Sequence, residues 1–298
     1  MSHHVHFEHS LWQFPVLLTL TLFLAASLYF RGWIHLREAS ARAIPAWRAG
    51  SFFLGLFLVW TAEGSPLAAY DHNLLTAHMI KHLLLMTFAP AFLLMGEPLR
   101  VLFCETSPFP QSRYAREFSR SPAQWFARIL TRPAVCWIVS ALTLVGWHIP
   151  ALFTLCVGST AWHTLEQAMF FGAGLLFWWP VIQPWPSTST GLRWSMLLYL
   201  FLATLPCDIL SGFLAFSDRV AYPVYLSTPR LFGLSVLEDQ QCAAALMWTC
   251  VTFVYLVPAA IISSKLLTPR TLHEHDLQQS HFSGRQVSQN APRSLEVV

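Results

Sequence analysis

The sequence predicts an all-α integral membrane protein with seven transmembrane helices, the N-terminus outside and the C-terminus cytoplasmic. Three observations carry this expectation: the scarcity of charge, the length of the apolar runs, and the side on which the basic residues fall. The 298 residues are 55% hydrophobic and only 11% charged, with a mean hydropathy of +0.48, whereas a soluble chain averages about 25% charged. The net charge of +3 says less than the placement of its carriers.

A helix needs roughly 20 residues to cross a hydrocarbon core, and seven stretches approach or exceed that: 14–33, 47–62, 74–95, 133–149, 163–182, 194–216 and 243–263. No Lys or Arg precedes the first, so it reads as a retained anchor rather than a cleaved signal. The second and fourth are the shortest, and Glu63 at the end of the second reads as interfacial. The third carries His78, Lys81, His82 and Met86. His148 closes the fourth, and His163 opens the fifth, followed by Glu166 and Gln167. In the sixth, Pro206 interrupts the backbone ladder beside Cys207 and Asp208, while Gly212 permits close helix approach. Asp239 precedes the seventh, which contains Met247.

Lys and Arg concentrate in loops that remain cytoplasmic. Arg31, Arg37, Arg42 and Arg48 follow the first span; Arg100, Arg113, Arg116, Arg120, Arg128 and Arg132 follow the third. Arg193 precedes the sixth, and Lys265, Arg270, Arg285 and Arg293 follow the seventh. These are fifteen of the 18 basic residues, against Arg219 and Arg230 on the other side, with Lys81 inside a span. The bias sets the orientation.

The organisation expected is a His-rich outer segment at 1–13, a seven-helix domain at 14–267 and a polar cytoplasmic tail at 268–298. There is no internal repeat. The Arg residues of the 97–132 linker suit lipid headgroups better than nucleic acid. His3, His4, His6 and His9 form a tract that would capture a metal transiently or serve as a polar tail. Six scattered cysteines give no CxxC pair. Cys156 and Cys242 share the outer side, where a bridge is permitted, although inert packing is the commoner role.

The candidate site follows from depth. Ionisable groups inside a membrane are costly and face a bundle interior, so a cluster of them is a functional-site hypothesis. The topology brings His78, Lys81, His82, His148, His163, Glu166 and Asp239 to one level, with His72 close by. His78 and His82 stand at i and i+4 on one face, and Met86 extends the stripe. Imidazole with methionine sulfur suits copper, while zinc would accept the same histidines. Glu166 and Asp239 are ligands or acceptors for a liganding imidazole's second N–H. Asp239 as a helix N-cap is the alternative. Lys81 lies off the histidine face, where it would pair with a carboxylate or snorkel outward.

The motifs then resemble a known family. His78-Met79-Ile80-Lys81-His82-Leu83-Leu84-Leu85 is similar to the HMxxHLLL element of the CtaG-like cytochrome c oxidase assembly factors. The resemblance continues through Trp147-His148-Ile149-Pro150-Ala151-Leu152, His163-Thr164-Leu165-Glu166 and Phe177-Trp178-Trp179-Pro180. It closes with Leu237-Glu238-Asp239-Gln240-Gln241 and Leu246-Met247-Trp248. It implies a multi-pass protein of the bacterial cytoplasmic membrane that helps a haem-copper oxidase mature through copper supply, unlike the single-span periplasmic chaperones that share part of the name. Gln167 stands where relatives often place His; if that His is a ligand in them, the site here has lost or replaced it.

The expectation is therefore a non-enzymatic copper-binding assembly factor. Its ligands would be His78, His82, His148 and His163, with His72, Glu166, Asp239, Met86 and Met247 as further candidates. A cytochrome c oxidase subunit, a periplasmic copper donor, membrane lipids and a second copy of the chain are the partners to consider, and no nucleic acid. The rival readings are a haem oxidoreductase with two axial histidines and a transporter, for which only Asp208 lies deep. No HExxH motif supports a zincin, and no mid-membrane lysine in the last span supports a retinal receptor.

Overall fold

The computed structural model describes residues 14–39, 44–106, 130–182 and 194–267. Among these the protein is all-helical, with no strand. In chain order the α-helices are α1 (Val16–Ala39), α2 (Ala46–Gly64), α3 (Leu67–Tyr70), α4 (Leu75–His82), α5 (Ala89–Met95) and α6 (Pro98–Thr106), and then α7 (Pro133–Trp147), α8 (Pro150–Gly158), α9 (Thr160–Ile182), α10 (Trp194–Phe216) and α11 (Val236–Leu267). A π-helical segment, Leu83–Phe88, joins α4 to α5, and a 3-10 turn, Pro223–Ser227, lies between α10 and α11. The N-terminal histidine tract, residues 107–129 of the linker and the polar tail fall outside the described residues.

Six helical units are long and apolar enough to cross a membrane, or seven if α7 and α8 count as one span. The expected fourth span is the one the structure alters. Pro150 holds Ile149 extended at φ −66°, ψ 125°, as proline does to the residue before it, so the helix ends at Trp147 and restarts after a 74° bend. The 15 residues of α7 rise only about 22 Å, against a core of about 30 Å. The final helix begins earlier than its apolar run implies, at Val236, because a Ser235–Glu238 capping box starts it: Glu238 accepts from the Ser235 N–H at 2.8 Å and Ser235 Oγ from the Glu238 N–H at 3.2 Å.

The third span is the axis of the bundle, 61% buried where α1 is 11% buried. Its π segment has a sequence cause. Pro90 has no N–H to give Met86, four residues back, and the Ala89 N–H reaches Leu84 O, five residues back. Gly174 of α9 packs on this wider turn; a Cβ there would overlap the Met86 carbonyl. The molecule is apolar outside and encloses a buried polar cluster within an otherwise apolar core. Leu17, Phe23, Leu142, Ile209, Phe213 and Phe253 are exposed, as lipid-facing groups should be, while Asp71, His78, Glu166 and Gln240 are buried.

Candidate metal centre

The polar core gathers at the bundle end where α2 finishes, α4, α9 and α11 begin, and α7 breaks. α4 is fixed there by another helix. Asp239 Oδ2 accepts from the Leu75 N–H at 2.7 Å, and Oδ1 accepts from the Thr76 N–H at 3.1 Å and its hydroxyl at 2.6 Å. Asp239 thus caps α4, while the cap of its own helix belongs to Ser235 and Glu238. Its carboxylate stands apart from the histidine groups.

One turn into α4, His78 and His82 bring their Nε2 atoms to 2.8 Å. Glu166 Oε1 of α9 lies 3.6 Å from both. All three side chains are buried, and among the described residues neither Glu166 oxygen has a partner within hydrogen-bond geometry, the Cys156 thiol being the proton donor beside it. A carboxylate in that state is costly unless a cation or a proton meets it. Two ligand atoms on one tetrahedral ion at ~2.0–2.1 Å sit ~3.3 Å apart, a spacing that the 2.8 and 3.6 Å separations bracket. The residues fit a single N,N,O-bound ion.

A second group of donors lies beside the first. His163 Nε2 is 3.3 Å from Asp71 Oδ2 and 3.9 Å from Glu166 Oε2, and His72 Nε2 is 3.5 Å from Asp71 Oδ1. His72 is half-exposed and connects the cluster to the surface. Lys81 is buried and bonds Asp71 Oδ2 at 2.5 Å, with Glu63 at 3.8 Å. Gln167 closes the collar. With its amide nitrogen toward Glu63 (2.7 Å), its oxygen accepts from Lys81 Nζ at 2.6 Å and His163 Nε2 at 2.8 Å. A neutral amide there completes a network of two acids, a cation and an imidazole.

Asp71 and Met79 are the members that the sequence reading passes over, and Glu63 is drawn in from an expected interfacial position. Asp71 sits between spans, where a carboxylate reads as solvated, yet it is fully buried. Met79 lies off the His78/His82 face and turns instead to His148, whose Nε2 is 3.3 Å from its sulfur. His148 is the C-cap of α7, and its Nδ1 donates to Leu144 O at 2.7 Å. Met86 and Met247 line a cavity next to this pair, together with His82 and Cys207. Asp208 does not line that cavity, and its Oδ1 is buried without a partner. Cys156 is buried and Cys242 exposed, and both are free thiols.

The α10–α11 loop covers the site. Tyr222 donates to His148 O at 3.1 Å and Tyr225 to Asp71 O at 2.9 Å. Burial pushes both phenols well above their ordinary pKa of 10, so they remain donors at neutral pH. Gln240 holds the same loop to α11, accepting from the Ala221 N–H at 2.7 Å and donating to Leu214 O and Arg219 O.

A family model, cytochrome c oxidase caa3 assembly factor, matches residues 27–268, which include every helix that builds this site. The chain belongs to that family. Among curated proteins it is similar to an uncharacterised protein of Mycobacterium leprae, 20% identical over 89% of this chain and 40% of the relative. Uncharacterised proteins of Mycobacterium bovis and Mycobacterium tuberculosis are each 24% identical over 80% of this chain and 37% of theirs. The chain therefore spans about two-fifths of the length of the curated relatives it matches. No solved structure matches it.

Proposed function

We propose that the protein binds copper at His78, His82 and Glu166 and supplies it to a cytochrome c oxidase during assembly, from the outer face of a bacterial cytoplasmic membrane. The observation that carries this is the Glu166 carboxylate, fully buried, with the Cys156 thiol as its one neighbouring proton donor among the described residues, and 3.6 Å from two imidazole nitrogens. Membership of an oxidase assembly family supplies the client class. The bias of basic residues supports an outer N-terminus and a cytoplasmic C-terminus, which puts the half-exposed His72 on the outer side.

Neutral imidazoles and one carboxylate would hold the ion, and bound copper would be cargo rather than a catalyst. The chain's own groups do the rest. Asp239 fixes α4 so that both histidines point at Glu166, while Asp71, Lys81 and Gln167 hold His163 beside it. The convergence of His78 and His82 on one point favours a single ion over haem, whose axial imidazoles take opposite faces of the ring.

The test is oxidase maturation in cells that depend on this protein. With Glu166→Gln expressed at the wild-type level in the membrane, caa3-type oxidase should accumulate with depleted copper, and added copper should partly restore it. Fully copper-loaded, active oxidase in those cells would overturn the proposal.

A further inference from the structure

The cavity between α4, the π segment, α7, α9, α10 and α11 is chemically unlike the cluster beside it. Its volume is about 40 Å³, above the ~10–15 Å³ that one small guest requires. Its imidazoles are His82 and His148, its sulfur donors are Met79, Met86, Met247 and Cys207, and the hydroxyl residues Thr87 and Ser140 also line it. Among the described residues no carboxylate lines it.

The contact between His148 and Met79 points to an ion. Leu144 O can only accept, so the 2.7 Å contact makes His148 Nδ1 the protonated nitrogen. In the neutral imidazole Nε2 is then a bare lone pair, and 3.3 Å away lies a thioether sulfur, which has no proton to give. Two lone-pair donors that face each other in a buried site lack what would hold them together. An imidazole that donates its other N–H to a backbone carbonyl is also the usual arrangement of a metal ligand. His82 adds a second unsatisfied nitrogen, its buried Nδ1 having no partner while Nε2 faces His78.

We propose that this cavity is a second metal site, distinct from the His78–His82–Glu166 cluster, which takes a soft monovalent ion, Cu(I) or its analogue Ag(I). His148 Nε2 and Met79 Sδ are its first ligands, and Met86, Met247 and Cys207 are the thioethers and thiol available to complete it. Charge decides the class. The donors are neutral, so a dication would be buried without a counter-charge, whereas a monovalent ion is much less penalised and thioether sulfur prefers it. The cluster that contains Glu166 is the one suited to a divalent ion. His82 lines the cavity and also faces His78, so the two sites adjoin. This second site deepens the copper reading above but rests on its own donors.

The experiment uses the purified full chain in lipid nanodiscs, titrated with Ag(I) and separately with Zn(II), with X-ray absorption at the silver edge. The expected result is one Ag(I) equivalent with sulfur neighbours that excess Zn(II) does not displace. Met79→Leu, nearly volume-conserving and so tolerated by the fold, should lose that equivalent, as should Met79→Leu with Met247→Leu. Glu166→Gln should keep it while losing Zn(II). Silver bound only through nitrogen and oxygen, displaced one-for-one by Zn(II), or retained in full by both Met variants would overturn the second site. Zn(II) binding unaffected by Glu166→Gln, with silver still lost in Met79→Leu, would instead remove the first site and leave this one standing.

Discussion

Asp71→Asn tests whether the buried collar is held by charge. Lys81 and Asp71 are 3% and 0% exposed and bond at 2.5 Å. Removal of one partner of such a pair typically costs ~3–5 kcal/mol, because the other charge is stranded. Glu63 at 3.8 Å and the Gln167 oxygen at 2.6 Å remain to Lys81, which places the expected loss at the lower end, about 3 kcal/mol. Removal of both charges in Asp71→Asn with Lys81→Met should return stability to within ~1 kcal/mol of wild type, since a well-packed apolar replacement is often neutral. The assay is reversible unfolding in mixed micelles by rising SDS fraction, read by far-ultraviolet circular dichroism for wild type, both single variants and the double. A coupling energy of ~2 kcal/mol or more is the expected outcome. Additive single effects would show that the two side chains do not act as a buried pair.

Three further outcomes follow from the same geometry. Asp239→Asn leaves one amide oxygen where a carboxylate accepts from two N–H groups, so it should destabilise the protein by about 1–2 kcal/mol and weaken copper binding, measured by competition with a chelator, because α4 carries both histidines. Gly174→Val forces α9 away from the Met86 carbonyl and should cost roughly 1–3 kcal/mol, visible as a lower unfolding midpoint, whereas Gly172→Ala, with open space at its Cβ, should be near neutral. Tyr222 and Tyr225 have raised pKa values in the folded state, so their contribution is intact below about pH 10, the unfolded value, and is lost as pH rises further. Stability measured against pH should therefore fall above about pH 10, and the double phenylalanine variant should flatten that fall.

The helical membrane architecture was legible because scarcity of charge and apolar run length are local properties. The same is true of the His78/His82 pair, which a four-residue spacing places on one face of α4. What the pattern did not reveal depends on hydrogen-bond register or on distant pairing. Ile149-Pro150 reads as a span end, but only the backbone shows that it folds His148 back onto Leu144. The π segment follows from the missing N–H of Pro90, yet nothing in the apolar pattern marks it, and the wider turn changes where Met86 lies. Asp239 meets Leu75 across 164 residues, a pairing that no periodicity reports. Asp71 was missed because its neighbourhood is a loop in sequence and a buried ion pair in space. Gln167 becomes intelligible once Glu63 and Lys81 are seen to flank it.

The copper-to-protein ratio of the protein purified from copper-supplemented membranes, for wild type and for His78→Ala with His82→Ala, tests the metal site most directly. At least one copper per chain in the wild type, and one equivalent fewer in the double variant, is the outcome that agrees with a His78–His82–Glu166 centre. The same copper content in the folded double variant as in the wild type would contradict it.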